Sequence, residues 1–383
     1  MNTADVVIIG GGIIGASCAY FLSEKGLDVH LLERHFPASG TSRACDGLVL
    51  LWDKTPGAEL ALAKQSLSLW NQLNETLDTG FGFEHAGTIL FAEEDVHLQA
   101  GQEKAEMIRQ NGQRAEVLDA HALQNLEPEL ASDLAGGVLF PDDLQIDPRR
   151  ATLALLTAAQ ERGLKLHTET EVSEIKREAH GDSPICGVVT QEAEISTPAV
   201  VCAAGVWSMD IAQMVGLDLP IKPRKGHILV TARTPGFINH PLLEGAYVTT
   251  VQSAADNLQV ALVAEMTGTG TILLGSSRQF TGDDRSVSID VIQAIANRAI
   301  RFLPRLANVQ VIRSYAGLRP WSPDHLPLIG PVQSIPGFYL ATGHEGAGIG
   351  LAPITGKLIS NWVTGTLQSE LAAALRPDRL FKT

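Results

Sequence analysis

A chain of 383 residues is longer than one ordinary core, so two domains are the default expectation. With 45% hydrophobic and 19% charged residues it has the make-up of a globular protein with a sizeable core. Its formal net charge of -14 argues against a nucleic-acid partner, which needs a basic face, and against docking on an anionic membrane.

The opening MNTAD has no basic segment and no apolar stretch leading to a cleavage site, so no signal peptide is expected. Residues 5–9 read as a short, buried, β-branched parallel strand. Residues 13–25 carry Ile14, Cys18 and Phe21–Leu22 at helical spacing, and Gly26 stands where a left-handed C-cap belongs. Residues 29–33 make a second strand. The run from Val6 to Leu32 is broken by glycines and charges and is no transmembrane segment.

The motif Gly10-x-Gly12-x-x-Gly15 thus falls between strand and helix of a βαβ unit, the context that makes it a dinucleotide signature. Gly10 permits the tight turn, Gly12 lets the backbone approach a pyrophosphate, and Gly15 lets helix and strand pack closely. The helix start, at Ile13 and Ile14, offers N–H groups and the positive dipole end to phosphates. Glu33 can accept hydrogen bonds from ribose hydroxyls and would repel a 2′-phosphate. A glycine-rich turn without a ligand is the alternative, and the motif alone does not separate FAD from NAD.

Residues 38–47, ASGTSRACDG, form a small-residue loop, either approaching a ligand or merely connecting. An amphipathic helix is expected over 58–76, a more polar one over 96–112, a strand between Gly87 and Ala92, and a long helix over 148–162 capped by Gly163. LKLHTETEVSEI reads as a strand or strand pair, followed by a hairpin and the buried strand 199–202, which runs into Ala203-Ala204-Gly205. From Pro220 the runs GHILVTA, AYVTTVQ, LQVALVAEM and TILLGSSR predict an antiparallel sheet. A helix over 288–303 ends at Pro304. The tail repeats the opening logic: strand GFYLATG, glycine loop HEGAGIG, helix 351–364.

The fold class expected is α/β, a discontinuous Rossmann-like domain of residues 1–50, 145–220 and 312–383. The second, α+β, domain takes 51–144 and 221–311 and is built on the antiparallel sheet. Cys18, Cys45, Cys186 and Cys202 lie far apart with no ligand spacing, so no metal site is expected, and the usage fits a reducing cytoplasm.

VVIIGGGIIG with LLERH, VVCAAGVWS, GLRPWSPDHLPLIG and LATGHEGAGIGLAPITGKL occur in an order that resembles the D-amino-acid oxidase superfamily over essentially the whole chain. Within it, SGTSRACDGL and HEGAGIGLAP look most like glycine-oxidase-like proteins, nearest the catalytic subunits of D-hydroxyproline dehydrogenase, opine oxidase and hydrogen cyanide synthase.

The resemblance implies FAD, not NAD. It places Glu33 on the adenosine ribose and Arg34 beside the adenine. Ser39, Gly40, Thr41 and Ser42 fall on the pyrophosphate and flavin, and Val172 on the adenine. Ala203 and Gly205 would line the adenosine side with Trp207 packed nearby. Gly343, Gly346, Ala347, Gly348, Ile349 and Gly350 would run beside the flavin's pyrimidine edge. There, amides at a helix start suit the negative charge of the reduced ring. No counterpart of the sarcosine-oxidase cysteine stands near Trp321, so noncovalent FAD is expected.

Arg319 in GLRP would pair with a substrate carboxylate as a bidentate fork. The alternative is a surface arginine paired with Asp324. His344 and Glu345 can approach flavin or substrate, Glu345 balancing an ammonium, or else they merely enter the helix. Tyr247, expected on a strand, can close the pocket or be an ordinary strand aromatic, and strand residues near it and Glu265 would choose the substrate. His227 reads as structural, and Cys45 as a remote candidate for a low-pKa thiol. The activity implied is FAD-dependent oxidation of a small amino acid or secondary amine such as D-hydroxyproline or D-proline. Hydride would pass from the α-carbon to flavin N5 in the catalytic subunit of a dye-linked dehydrogenase complex, with partner subunits taking the electrons. Alternatives are an opine oxidase subunit and a stand-alone glycine or D-amino-acid oxidase making hydrogen peroxide.

Overall fold

The computed structural model describes residues 2–77, 80–178, 183–248, 257–367 and 370–381. Strand Val6–Ile9 lies inside a six-stranded sheet, flanked by Val29–Leu32 on one side and Val200–Cys202 on the other, all parallel. Phe338–Thr342 and Lys165–His167 extend the parallel order outward, and Leu328–Pro331 closes one edge antiparallel. Successive side chains of a strand point to opposite faces. Val6 and Ile8 accordingly join the core under the helices, while Val7 and Ile9 join a second core under a four-stranded sheet. Burial on both faces is why VVII is uniformly apolar. The helix face carries Ile13–Glu24, which packs on Pro148–Glu161 and Gly348–Val363. Asp147 caps the second of these by accepting from Arg149 N–H (3.0 Å) and Arg150 N–H (3.2 Å).

The second sheet has eight strands, in the order Val311–Trp321, Lys222–Thr231, Ile272–Phe280, Gln259–Met266, Leu242–Glu244, Thr88–Ala92, Gly136–Phe140, Glu116–Asp119. It is antiparallel except where Leu242–Glu244 runs parallel to Thr88–Ala92. Helix Ile289–Phe302 covers one face through Val291, Ile295, Ala299 and Phe302. Three expectations shift. Strand Val311–Trp321 belongs to this sheet, paired with Lys222–Thr231 over ten residue pairs, not to the part beginning at 312; the chain rejoins the six-stranded sheet at Leu328–Pro331. Tyr247 sits in a helical turn after Leu242–Glu244, not on a strand, and the rest of AYVTTVQ falls outside the described residues. The last long helix starts at Gly348, three residues early, and holds Pro353 in its interior; the Ile349 carbonyl that this proline cannot serve accepts instead from Trp70 Nε1 (3.0 Å).

His227 is a buried strand residue whose Nδ1 lies 3.0 Å from Ser277 Oγ and whose Nε2 accepts from Ser288 N–H (3.2 Å). Burial, then the Lys225 and Arg319 charges, pull its pKa down to about 4 from 6.5. The unfolded chain therefore binds a proton between pH 6.5 and about 4 that the folded chain does not. Stability from this group is whole above pH 6.5 and falls as the pH drops through that window. His227→Gln should flatten the loss by up to about 1.4 kcal/mol per pH unit. Melting temperatures at pH 7.5 and 5 check it: equal drops for variant and wild type would count against it.

Candidate active site

A cavity of about 870 Å³ runs along the junction of the two sheets. It begins at the end of strand Val6–Ile9. There Gly10 takes φ +112°, and a Cβ on it would lie 2.6 Å from Ala203 O. Gly15 packs so tightly that an added Cβ would overlap Gly10 O. Gly12 faces the cavity, its nearest neighbour being Ser42 Oγ. Gly12 has no side chain to cap the helix, and Ser42 does it instead: Ile13 N–H donates to Ser42 Oγ (3.0 Å). Glu33 Oε2 accepts from Gly11 N–H (2.7 Å) and Oε1 from His35 N–H (2.9 Å). The carboxylate thus braces the turn, with lone pairs left for a ribose.

Arg34 lies with its guanidinium 4.3 Å from the Trp207 ring, and Gly40 stands where a side chain would press on that ring. Ile14, Ser39, Thr41, Val172, Ala203 and Gly205 line the same end. Gly15 and Gly343 do not; both are packing positions, Gly343 at φ +78° against Leu328 and Ile221. Gly346, Ala347, Gly348, Ile349 and Gly350 line the middle. A Cβ on Gly346 would meet nothing within 4 Å, so its bareness is turned to the cavity.

Arg319 lines the inner end, with Nη1 donating to Ser277 O (3.1 Å). The cross-strand partner of Gly317 is Gly226, and a Cβ there would fall 2.7 Å from Arg319 Cζ, so the glycine of PRKGH vacates the place the guanidinium occupies. Among the described residues Arg319 forms no ion pair. Asp324, the alternative partner, is taken by Arg379 (2.7 Å). Burial, then the Arg278 charge, lowers the Arg319 pKa; Glu345 and Asp46 oppose this.

Glu345 (φ +45°) lines the cavity, but its Oε1 pairs with Arg224 Nη1 (2.8 Å), so its carboxylate is already engaged. His344 is buried with Nε2 3.0 Å from Thr355 Oγ1, and burial pulls it down to about 3, leaving it neutral. Tyr247 lines the pocket with the Arg278 guanidinium 4.7 Å from its ring; burial raises its pKa. Burial pushes the Cys45 thiol up, against a thiolate. Glu265 does not line the cavity; it accepts from Gly47 N–H (2.8 Å) and Gln145 Nε2 (2.9 Å), and burial with Asp46 raises it to about 8. Among the cavity residues that the sequence did not single out are the charged Asp46 and Arg278. For Arg278 a signal existed: it stands two residues after Ser276 and so on the same face of strand Ile272–Phe280, and both line the cavity.

The FAD dependent oxidoreductase family (DAO) matches residues 5–362. Hydrogen cyanide synthase subunit HcnC of Pseudomonas aeruginosa is 30% identical over 94% of this chain and 93% of its own. Glycine oxidase of the same species is 30% identical over 94% of each. Among solved structures, glycine oxidase from Geobacillus kaustophilus superposes with a TM-score of 0.90 at 25% identity over 100% of both chains. L-proline dehydrogenase from P. horikoshii reaches 0.88 at 25% over 99% of this chain and 98% of its own.

Proposed function

The chain belongs to the FAD dependent oxidoreductase family, and from this premise we propose that it oxidises the bond between α-carbon and nitrogen of a small amino acid or secondary amine, D-proline or D-hydroxyproline first among candidates. FAD is its cofactor. The residues present fit that group: bare backbone at Gly12 and Gly346, a helix start at Ile13 and a braced Glu33 all face one cavity. Gly10, Gly12, Ile13 and Ser42 would hold the diphosphate, Glu33 the ribose, Arg34 and Val172 the adenine, and residues 346–350 the ring's pyrimidine edge. When bound, FAD supplies at flavin N5 the acceptor for the hydride that leaves the substrate carbon as an imine forms.

One observation carries the substrate reading. Arg319 ends in the cavity with its fork held by one carbonyl and by no carboxylate among the described residues. It would bind the substrate carboxylate and so fix the α-carbon in place. The apolar wall of Leu48, Val49, Leu50 and Val263 keeps water from the reacting atoms. No protein base is needed at the carbon, provided the amine reacts neutral. We further infer that electrons pass to a partner subunit, as the named subunit status of HcnC supports. Arg278 on the same cavity favours a second reading, an opine whose second carboxylate it would meet.

Anaerobic addition of D-proline, D-hydroxyproline, glycine and an opine to the purified protein tests the reading. Bleaching of the flavin band by one of them is expected, and none bleaching it would reject the proposal. Aerobic turnover that yields hydrogen peroxide faster than it reduces a dye would reject the partner subunit.

A further inference from the structure

We propose that Asp46 binds the substrate's cationic nitrogen, so that Asp46 and Arg319 together select an amino acid in its zwitterionic form. The inference rests on the substrate reading above and adds the second pole of the site.

Most carboxylates on the cavity are spoken for. Glu345 is paired with Arg224, Asp53 with Lys54 (2.7 Å) and Asp324 with Arg379. Asp46 differs. It lines the cavity half-buried, and among the described residues no hydrogen bond reaches its carboxylate and no cation lies within 4.0 Å of it. Its position is set from three sides. Thr41 Oγ1 donates to Leu318 O (2.7 Å). Ala44 lies against Gly317, where a Cβ on the glycine would come 2.6 Å from the Ala44 methyl. Gly47 N–H, the next residue's, donates to the buried Glu265 (2.8 Å). Leu318 and Gly317 immediately precede Arg319 on its strand, so the 41–47 loop is fastened beside the guanidinium. Asp46, Cys45, Tyr247 and Arg319 line the same cavity, and the Asp46 charge bears on the other three.

Carboxylate and guanidinium thus share one end of the cavity without closing on each other. Opposite charges held apart in a half-dry site are complementary to a ligand carrying both signs a bond or two apart. An α-amino acid is such a ligand: its carboxylate goes to Arg319 and its ammonium to Asp46. A carboxylate ligand without nitrogen would instead leave Asp46 beside an uncompensated anion.

The test is equilibrium binding to anaerobically photoreduced holoprotein, in which no turnover follows. The probes are glycine, sarcosine, D-proline and D-hydroxyproline, against cyclopentanecarboxylate, which keeps ring and carboxylate but lacks nitrogen. Asp46→Asn should weaken the tightest-binding amino acid tenfold or more, leave cyclopentanecarboxylate unchanged or tighter, and keep the FAD content and melting temperature of the wild type. Arg319→Ala should weaken both ligands. Equal amino-acid affinity for Asp46→Asn and wild type would overturn the role of Asp46 while leaving that of Arg319 standing. Loss of both ligands in Asp46→Asn would overturn it too, as would a wild type that prefers cyclopentanecarboxylate to every amino acid. Unchanged binding of both ligands by Arg319→Ala would overturn instead the substrate reading on which the inference rests.

Discussion

Replacing Arg319 by alanine is expected to lower kcat/KM for the amino-acid substrate by two to three orders of magnitude while the purified protein stays yellow. Truncating one partner of a desolvated, hydrogen-bonded charge pair costs about 2–5 kcal/mol. Here the lost partner is the one group that would anchor the carboxylate, so the effect falls on substrate capture and alignment alike. Arg319→Lys should recover only part, because a single ammonium cannot replace a planar fork. Gly226→Ala offers an independent check that removes no charge. Its methyl would occupy the ground of the guanidinium, with 2.7 Å to Arg319 Cζ, and must push the fork aside. It should lower kcat/KM in the same direction. Wild-type kinetics in Arg319→Ala would show that the carboxylate binds elsewhere.

Replacing Gly15 by valine is expected to yield colourless protein, or none. A Cβ at this position overlaps the carbonyl oxygen of Gly10, and the helix carrying it is clamped by Pro148–Glu161 and Gly348–Val363. Neither backbone can retreat without opening the core around Ala16 and Ala19, both buried. Overpacking a rigid core costs about 1–3 kcal/mol, and a backbone carbonyl yields less readily than a side chain. The damage lands on the turn that would hold the diphosphate. Flavin absorbance per unit of protein measures it, and a variant with full flavin content would contradict the packing assigned to Gly15. A Gly346→Ala variant, whose methyl would meet no protein atom, should fold normally.

The parallel core and its ligand-facing turn could be read from the chain because their determinants are local. VVII followed by Gly10, Gly12 and Gly15, a helical repeat and a second β-branched strand sit within thirty residues, and each needs only its neighbours to be recognised. The same holds for Asp147–Pro148, where a cap and a first-turn proline announce a helix. Arg319 was legible through the motif around it, and its rival partner Asp324 was not dismissible until Arg379, fifty-five positions away, was seen to hold it.

By itself, then, the sequence determined a βαβ dinucleotide turn and the order of its helices, and it offered Arg319 as the candidate for a carboxylate. Tertiary structure alone decided which charges remain available. Glu345 looked open until Arg224 met it from strand Lys222–Thr231, Tyr247 proved to lie in a turn, and Asp46 emerged as a cavity carboxylate with no hydrogen bond or ion pair among the described residues. The physical reason is that pairing and desolvation act through space at separations of a few ångströms. Spacing along the chain records a strand's face or a helix's stripe, but carries no trace of which distant side chain will neutralise a charge.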